Sequence, residues 1–233
     1  LSSPTPAWPA PAKASLWQKL SHLEPRVIDD VGDVPLIVSD SLGEPHVIVT
    51  SSANDRLISV APASGMVQWQ YVTQAPIRYA PSIVDGVAYL GSDDGKVRAV
   101  DLSDGSEIWS VRLGPEMPAI VGNNRLISPH PVRTSVLADA QFVYASAGLF
   151  PNQGVYLVAL DRATGEVHWR RKTNKSPQGY LLTTNDNMIY VPTGRAAPFA
   201  IRRDTGEFVV DLPSPGGSFC MLTPDAFFSG PGN

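Results

Sequence analysis

From residue 87 to residue 109 the chain reads VAYLGSDDGKVRAVDLSDGSEIW, with apolar positions alternating with polar or small ones in three short runs. Alternation with period two predicts strands over Val87–Gly91, over Lys96–Asp101, and in a third segment that carries Trp109. The stretch Ser92–Gly95 is a hairpin turn, because Asp-Gly supplies the positive φ that primed turns need. Gly105 closes the second turn in the same way. Three antiparallel strands therefore end on a large aromatic side chain that must be buried elsewhere.

The pattern recurs. Ala99, Asp101, Gly105 and Trp109 are matched position for position by Ala159, Asp161, Gly165 and Trp169. Ser59, Ala61, Gly65 and Trp69 keep the glycine and tryptophan; Ala200, Arg202, Gly206 and Val210 keep the alanine and glycine. The glycines at 65, 105, 165 and 206 are spaced by 40, 60 and 41 residues. A period near 40 with several short strands per unit predicts an all-β fold, a β-propeller of four-stranded antiparallel blades. This Ala-x-Asp-x-x-x-Gly-x-x-x-Trp pattern resembles the tryptophan-docking motif of bacterial PQQ-like (pyrroloquinoline quinone, quinoprotein-type) repeats, over roughly residues 45–230. The resemblance implies that Trp69, Trp109 and Trp169 each pack on a neighbouring blade. Gly65, Gly105, Gly165, Gly206, Asp101 and Asp161 would form the docking turns.

A second repeat is offset from the first. Thirteen residues before Tyr89, Tyr144, Tyr190 and Phe228 stand Pro76, Pro131, Pro177 and Pro215. Two residues after those prolines come Arg78, Arg133, Gly179 and Gly217. Blade one departs from this rule, with Val49 in the aromatic position and Pro35 out of place by one residue. Each proline is expected to open the strand that follows, the innermost one in this family, which lines the channel. The 60-residue interval holds two expected loops, about 113–129 and 147–154. Four blades and the start of a fifth predict an arc of a larger propeller; a small ring closed by Pro35–Val38 against the C-terminal strand is the rival.

Outside the repeats, residues 1–12 hold four prolines and read as a linker. Residues 13–34 read as a short amphipathic helix, through Leu16, Trp17, Leu20 and Leu23, with a lead-in to the repeats at 35–233. No export leader is visible at the first residues. With 18 basic and 22 acidic residues the net charge is −4, and no basic block suggests nucleic acid as a partner. No apolar run reaches the length of a membrane span.

The remaining chemistry is sparse. His22, His46, His130 and His168 are scattered, with His168 reading as a solvent-facing strand residue. Cys220 stands alone and reads as a small buried hydrophobe beside Phe219 and Met221. Gly216 and Gly217 read as a turn, and Asp93 and Asp94 as turn residues rather than a catalytic pair. The expectation is no catalytic residue and no metal site. One ligand site is expected at the channel mouth, where Arg78 and Arg133 would reach one anion from adjacent inner strands, with Tyr79 and Gln178 on the rim. The family's quinone enzymes use an adjacent cysteine pair and an acidic calcium site, neither of which has a counterpart here. The resemblance thus implies a non-catalytic, periplasmic or otherwise extracytoplasmic module that binds a protein partner or a small anionic ligand without a cofactor. The alternative is part of a quinoprotein oxidoreductase, with PQQ and calcium.

Overall fold

The structure is a computed structural model. It describes residues 34–230 apart from 123, 124, 185, 195, 215, 218, 224 and 225. The expected linker and amphipathic helix lie outside the described residues, as do Pro215 and the two asparagines of the 113–129 segment. Within them the alternating runs become twenty strands and no helix.

Blade one comprises β1 (Leu36–Ser39), β2 (Pro45–Ser51), β3 (Arg56–Val60) and β4 (Val67–Val72). Blade two comprises β5 (Ser82–Val84), β6 (Val87–Gly91), β7 (Lys96–Asp101) and β8 (Glu107–Arg112). A hairpin follows, β9 (Ile120–Gly122) and β10 (Arg125–Ile127). Blade three comprises β11 (Leu137–Ala138), β12 (Phe142–Ala147), β13 (Val155–Asp161) and β14 (Val167–Thr173). Blade four comprises β15 (Leu182–Thr183), β16 (Met188–Val191), β17 (Phe199–Arg202) and β18 (Phe208–Asp211). β19 (Phe219–Leu222) and β20 (Phe227–Gly230) form a final pair. Every blade is an antiparallel meander in chain order.

One turn builds all four blades. The amides of Gly65, Gly105, Gly165 and Gly206 each donate to the carbonyl four residues back, at 2.8 to 2.9 Å. At the same point the ladder slips by one residue. The slip sets Ser59, Ala99, Ala159 and Ala200 opposite Trp69, Trp109, Trp169 and Val210. Asp101 and Asp161 brace their turns by accepting backbone N–H groups from Ser103 and Thr164, both at 2.8 Å.

The core lies between blades rather than inside one. Ile48, Leu57 and Trp69 of blade one pack with Ala88, Leu90, Val100 and Leu102 of blade two. Trp109 joins Val143, Ala145, Val158 and Leu160 of blade three, and Trp169 joins Ile189, Val191, Phe199 and Ile201 of blade four. The indole N–H groups donate across the same boundaries, to the carbonyls of Leu102, Arg162 and Arg203 at 2.8, 3.0 and 3.0 Å. In blade four Val210 stands in the tryptophan position and is 47% exposed.

Several expectations need correction. Among the described residues β1 pairs with β2 alone and β20 with β19 alone, so Pro35–Val38 closes no ring and the blades form an arc. The leading prolines do not open the inner strands: β5, β11 and β15 begin six, six and five residues after Pro76, Pro131 and Pro177. Arg78 and Arg133 therefore sit on extended approaches to those strands, which bridge to the neighbouring blade, as Thr134 does with Gly179. The 113–129 segment is not a plain loop but carries the β9–β10 hairpin. Cys220 is only half-buried, because β19 has a single strand partner. The reading of His168 as a solvent-facing strand residue holds: it is exposed on β14 and stacks on Phe142 at 4.4 Å between ring centres.

Candidate functional site

Successive strands of a meander run in opposite directions, so turns between second and third strands lie at the same end as connections to the next blade. Both insertions in the repeat fall at that end. Residues 113–129 join blade two to blade three, and residues 147–154 join β12 to β13. They come together through the residue that follows the first: the imidazole Nε2 of His130 lies 3.1 Å from the Gln153 carbonyl oxygen of the second.

Beneath this face, in the turn between β6 and β7, lies Asp93, with no solvent exposure. Arg78 approaches one carboxylate oxygen through Nε at 2.7 Å and Nη2 at 2.6 Å. The Arg133 Nε lies 3.8 Å from the other oxygen. The Asp93 backbone is also held, donating to the Pro76 carbonyl at 2.9 Å and accepting the Ser128 amide at 2.8 Å. Both arginines are buried, at 6% and 8% exposure. The structure thus brings Arg78 and Arg133 together, but onto an internal carboxylate that the sequence reading treated as a turn residue. The available signal was an arginine two residues after the leading proline in consecutive blades, beside an acidic turn.

The adjacent Asp94 pairs with Arg98 through both terminal guanidinium nitrogens, Nη1 at 3.1 Å, and accepts the Lys96 amide at 3.0 Å. Burial alone would raise its pKa; the Arg98 hydrogen bond and charge, with Ser92 and Lys96, hold it below the ordinary 3.8. The sign follows: a depressed carboxyl pKa adds stability above the unfolded value, and that stability is lost as pH falls through the folded one. The urea midpoint is expected to fall steeply below about pH 4, and Asp94→Asn to flatten that acid limb.

Tyr79 meets Tyr180 edge-on, 5.2 Å between ring centres with the planes at 81°. Tyr180 follows Pro177 by three residues, as Tyr79 follows Pro76, so the repeat offset is the sequence signal that marks it. Gln178 is set apart from the arginines in partner: its amide donates to the Pro192 carbonyl at 2.9 Å, and its side chain lies beside Gly194.

One constellation resembles a hydrolytic triad. His46 lies 2.8 Å from the Ser59 hydroxyl and 3.4 Å from Asp40. Ser59, however, has no solvent exposure and donates to Gln68 at 2.8 Å, so no substrate reaches it. This group stabilises blade one. Among the described residues no three His, Cys, Asp or Glu side chains gather as a metal site. A calcium–quinone centre does not fit either: the buried carboxylates of Asp93 and Asp94 already face guanidinium cations, and burial pushes the lone Cys220 thiol pKa up. Among these residues no helix is long and apolar enough to cross a membrane.

Blades, docking turns and an arc of repeats define a PQQ-like β-propeller repeat protein. The family model described as "Outer membrane protein assembly factor BamB" matches residues 13–140 and 42–211, and the chain belongs to that family. Among relatives, BamB of Yersinia pestis is 24% identical over 165 residues, covering 66% of this chain and 38% of that protein. The 1-butanol dehydrogenase (quinone) of Thauera butanivorans is 28% identical over 141 residues, covering 59% of this chain and 19% of that protein. The crystal structure of quinohemoprotein alcohol dehydrogenase from Comamonas testosteroni superposes with a TM-score of 0.61 at 17% identity, over 79% of this chain and 35% of that one. The chain spans about two fifths of the length of the BamB proteins of Yersinia pestis and Moranella endobia.

Proposed function

We propose that the chain is a non-catalytic, extracytoplasmic propeller module that scaffolds a protein partner on the face carrying both insertions. The observation that supports this reading is the convergence of residues 113–129 and 147–154 at one end of the arc, joined through His130 and Gln153. A repeat can lengthen any of its turns; two long excursions at one end build a binding surface. Family membership agrees, since its description names an assembly factor. In this reading Tyr79 and Gln178, half-buried on the rim, form the ligand-binding end of the same face, and Arg78 and Arg133 brace it from beneath through Asp93. The test is site-specific photo-crosslinking in producing cells. A photoreactive residue at Phe150, which is 55% exposed, is expected to trap a discrete partner, whereas one at Ser103 at the opposite end traps none. Equal labelling at both positions rejects the reading.

The quinone-dependent butanol dehydrogenase among the relatives favours a second reading, a portion of a quinoprotein oxidoreductase with its reacting residues elsewhere. Adding PQQ and calcium to the full-length protein and following dye reduction separates the two. Turnover belongs to the second reading alone.

A further inference from the structure

Beneath the β9–β10 hairpin, where blades one and two meet, lies a small cavity of about 130 Å³. Ala75 and Ile127 form a buried floor, while Met117 and Leu126, 51% and 65% exposed, form an apolar lip. Arg112 closes one side and donates from Nη1 to the Asp94 carbonyl at 2.8 Å. The Asp94 carboxylate also lines the cavity but is already neutralised by Arg98, and the register partner of Arg112 across β7 and β8 is Lys96, which stands beside the cavity rather than in its lining. Among the described residues neither Arg112 nor Lys96 makes an ion pair, and like charges directly opposite on a sheet repel one another. An anion seated between them removes that repulsion.

The hairpin above is itself unfinished as a sheet. Among the described residues β9 and β10 pair only with each other, so neither has a second strand partner, and Val121 on β9 is 77% exposed. An open edge with apolar side chains is a template for strand addition. Arg125 reaches across to Asp55 and to the Ala53 carbonyl of blade one, so the hairpin is held in place before any partner arrives. Size decides the kind of occupant. Small-molecule pockets run to about 300–1,000 Å³, whereas this one takes a single aliphatic side chain and opens onto a strand edge.

We infer that this hairpin edge and cavity receive an extended acidic segment of a partner protein. The segment adds a strand to the hairpin, seats one apolar side chain between Met117 and Leu126, and places a carboxylate against Arg112, on the strand face that Arg112 shares with Lys96. The inference rests on the scaffold reading and gives the partner a chemistry.

The test is fluorescence anisotropy of the full chain with a labelled, end-capped hexapeptide alternating aspartate and leucine, against its lysine–leucine counterpart. The acidic peptide is expected to bind at least about tenfold more tightly. Leu126→Asp, and separately Arg112→Gln with Lys96→Gln, are each expected to weaken it by about tenfold at an unchanged thermal midpoint. Equal binding of the two peptides, or unchanged binding by Leu126→Asp, overturns the inference. Displacement by equimolar hexanoate overturns it in favour of a small carboxylic acid, and self-association abolished by Leu126→Asp in favour of a second copy. Crosslinking at Phe150 reads the scaffold separately, so its persistence alongside a failed peptide experiment rejects the acidic segment alone.

Discussion

Replacing Trp109 by alanine is expected to lower the stability of the chain by about 3–5 kcal/mol, the range for emptying a large buried aromatic site. The indole fills the boundary of blades two and three, is 9% exposed, and donates to the Arg162 carbonyl at 3.0 Å. Its ring lies over Gly165, where an added β-carbon would come within 2.9 Å of it. Neither blade can move in to fill the space without breaking its own four-stranded ladder, so most of the cavity persists. Val210 provides the internal comparison, because it holds the same repeat position yet is 47% exposed. Val210→Ala is expected to change stability by no more than about 0.5 kcal/mol. Urea midpoints of the two variants decide it, and equal losses would place the stabilising contacts within blades rather than between them.

The contrast between these positions shows where the sequence was legible. Strands joined by tight turns carry their whole signal locally: Val87–Gly91 and Lys96–Asp101 are read from alternation and one Asp-Gly, and the structure has the same bounds. Blade identity followed from the glycine spacing, because each turn needs the same left-handed residue; Gly105 has φ 77° and Gly165 φ 76°. The β9–β10 hairpin escaped because its strands have three residues each, too few for alternation to register, between prolines at 118 and 129. The inner strands were misplaced for a different reason. Proline marks the start of an extended segment, but that segment first bridges to a neighbouring blade, a long-range contact with no local trace. Of the candidate site, the repeat register found Arg78 and Arg133. It missed their shared carboxylate, since a turn preference already explained Asp93 and its burial is made by segments far away in sequence.

That carboxylate carries the other large effect. Asp93→Asn keeps the shape of the side chain and removes its charge, where Arg78 stands at 2.6 Å and Arg133 at 3.8 Å. Removing one member of a buried ion pair costs about 3–5 kcal/mol, because the remaining charge stays desolvated. Asp93 has no solvent exposure, so dissolved salt does not screen the contact. The loss is therefore expected to be the same at low salt and at about 0.5 M NaCl, where a surface pair would be largely screened. Arg133→Gln, acting on the longer of the two contacts, is expected to cost less than Arg78→Gln. The same three groups hold the approach at Pro76, the β6–β7 turn and the start of the blade-three approach together. Loosening them should also let the face carrying both insertions open, seen as faster amide exchange at Ser128 and Val132, whose N–H groups donate to Asp93 and Ser92. If Asp93→Asn is as stable as the parent chain and exchange at those amides is unchanged, the carboxylate is a turn residue and no more.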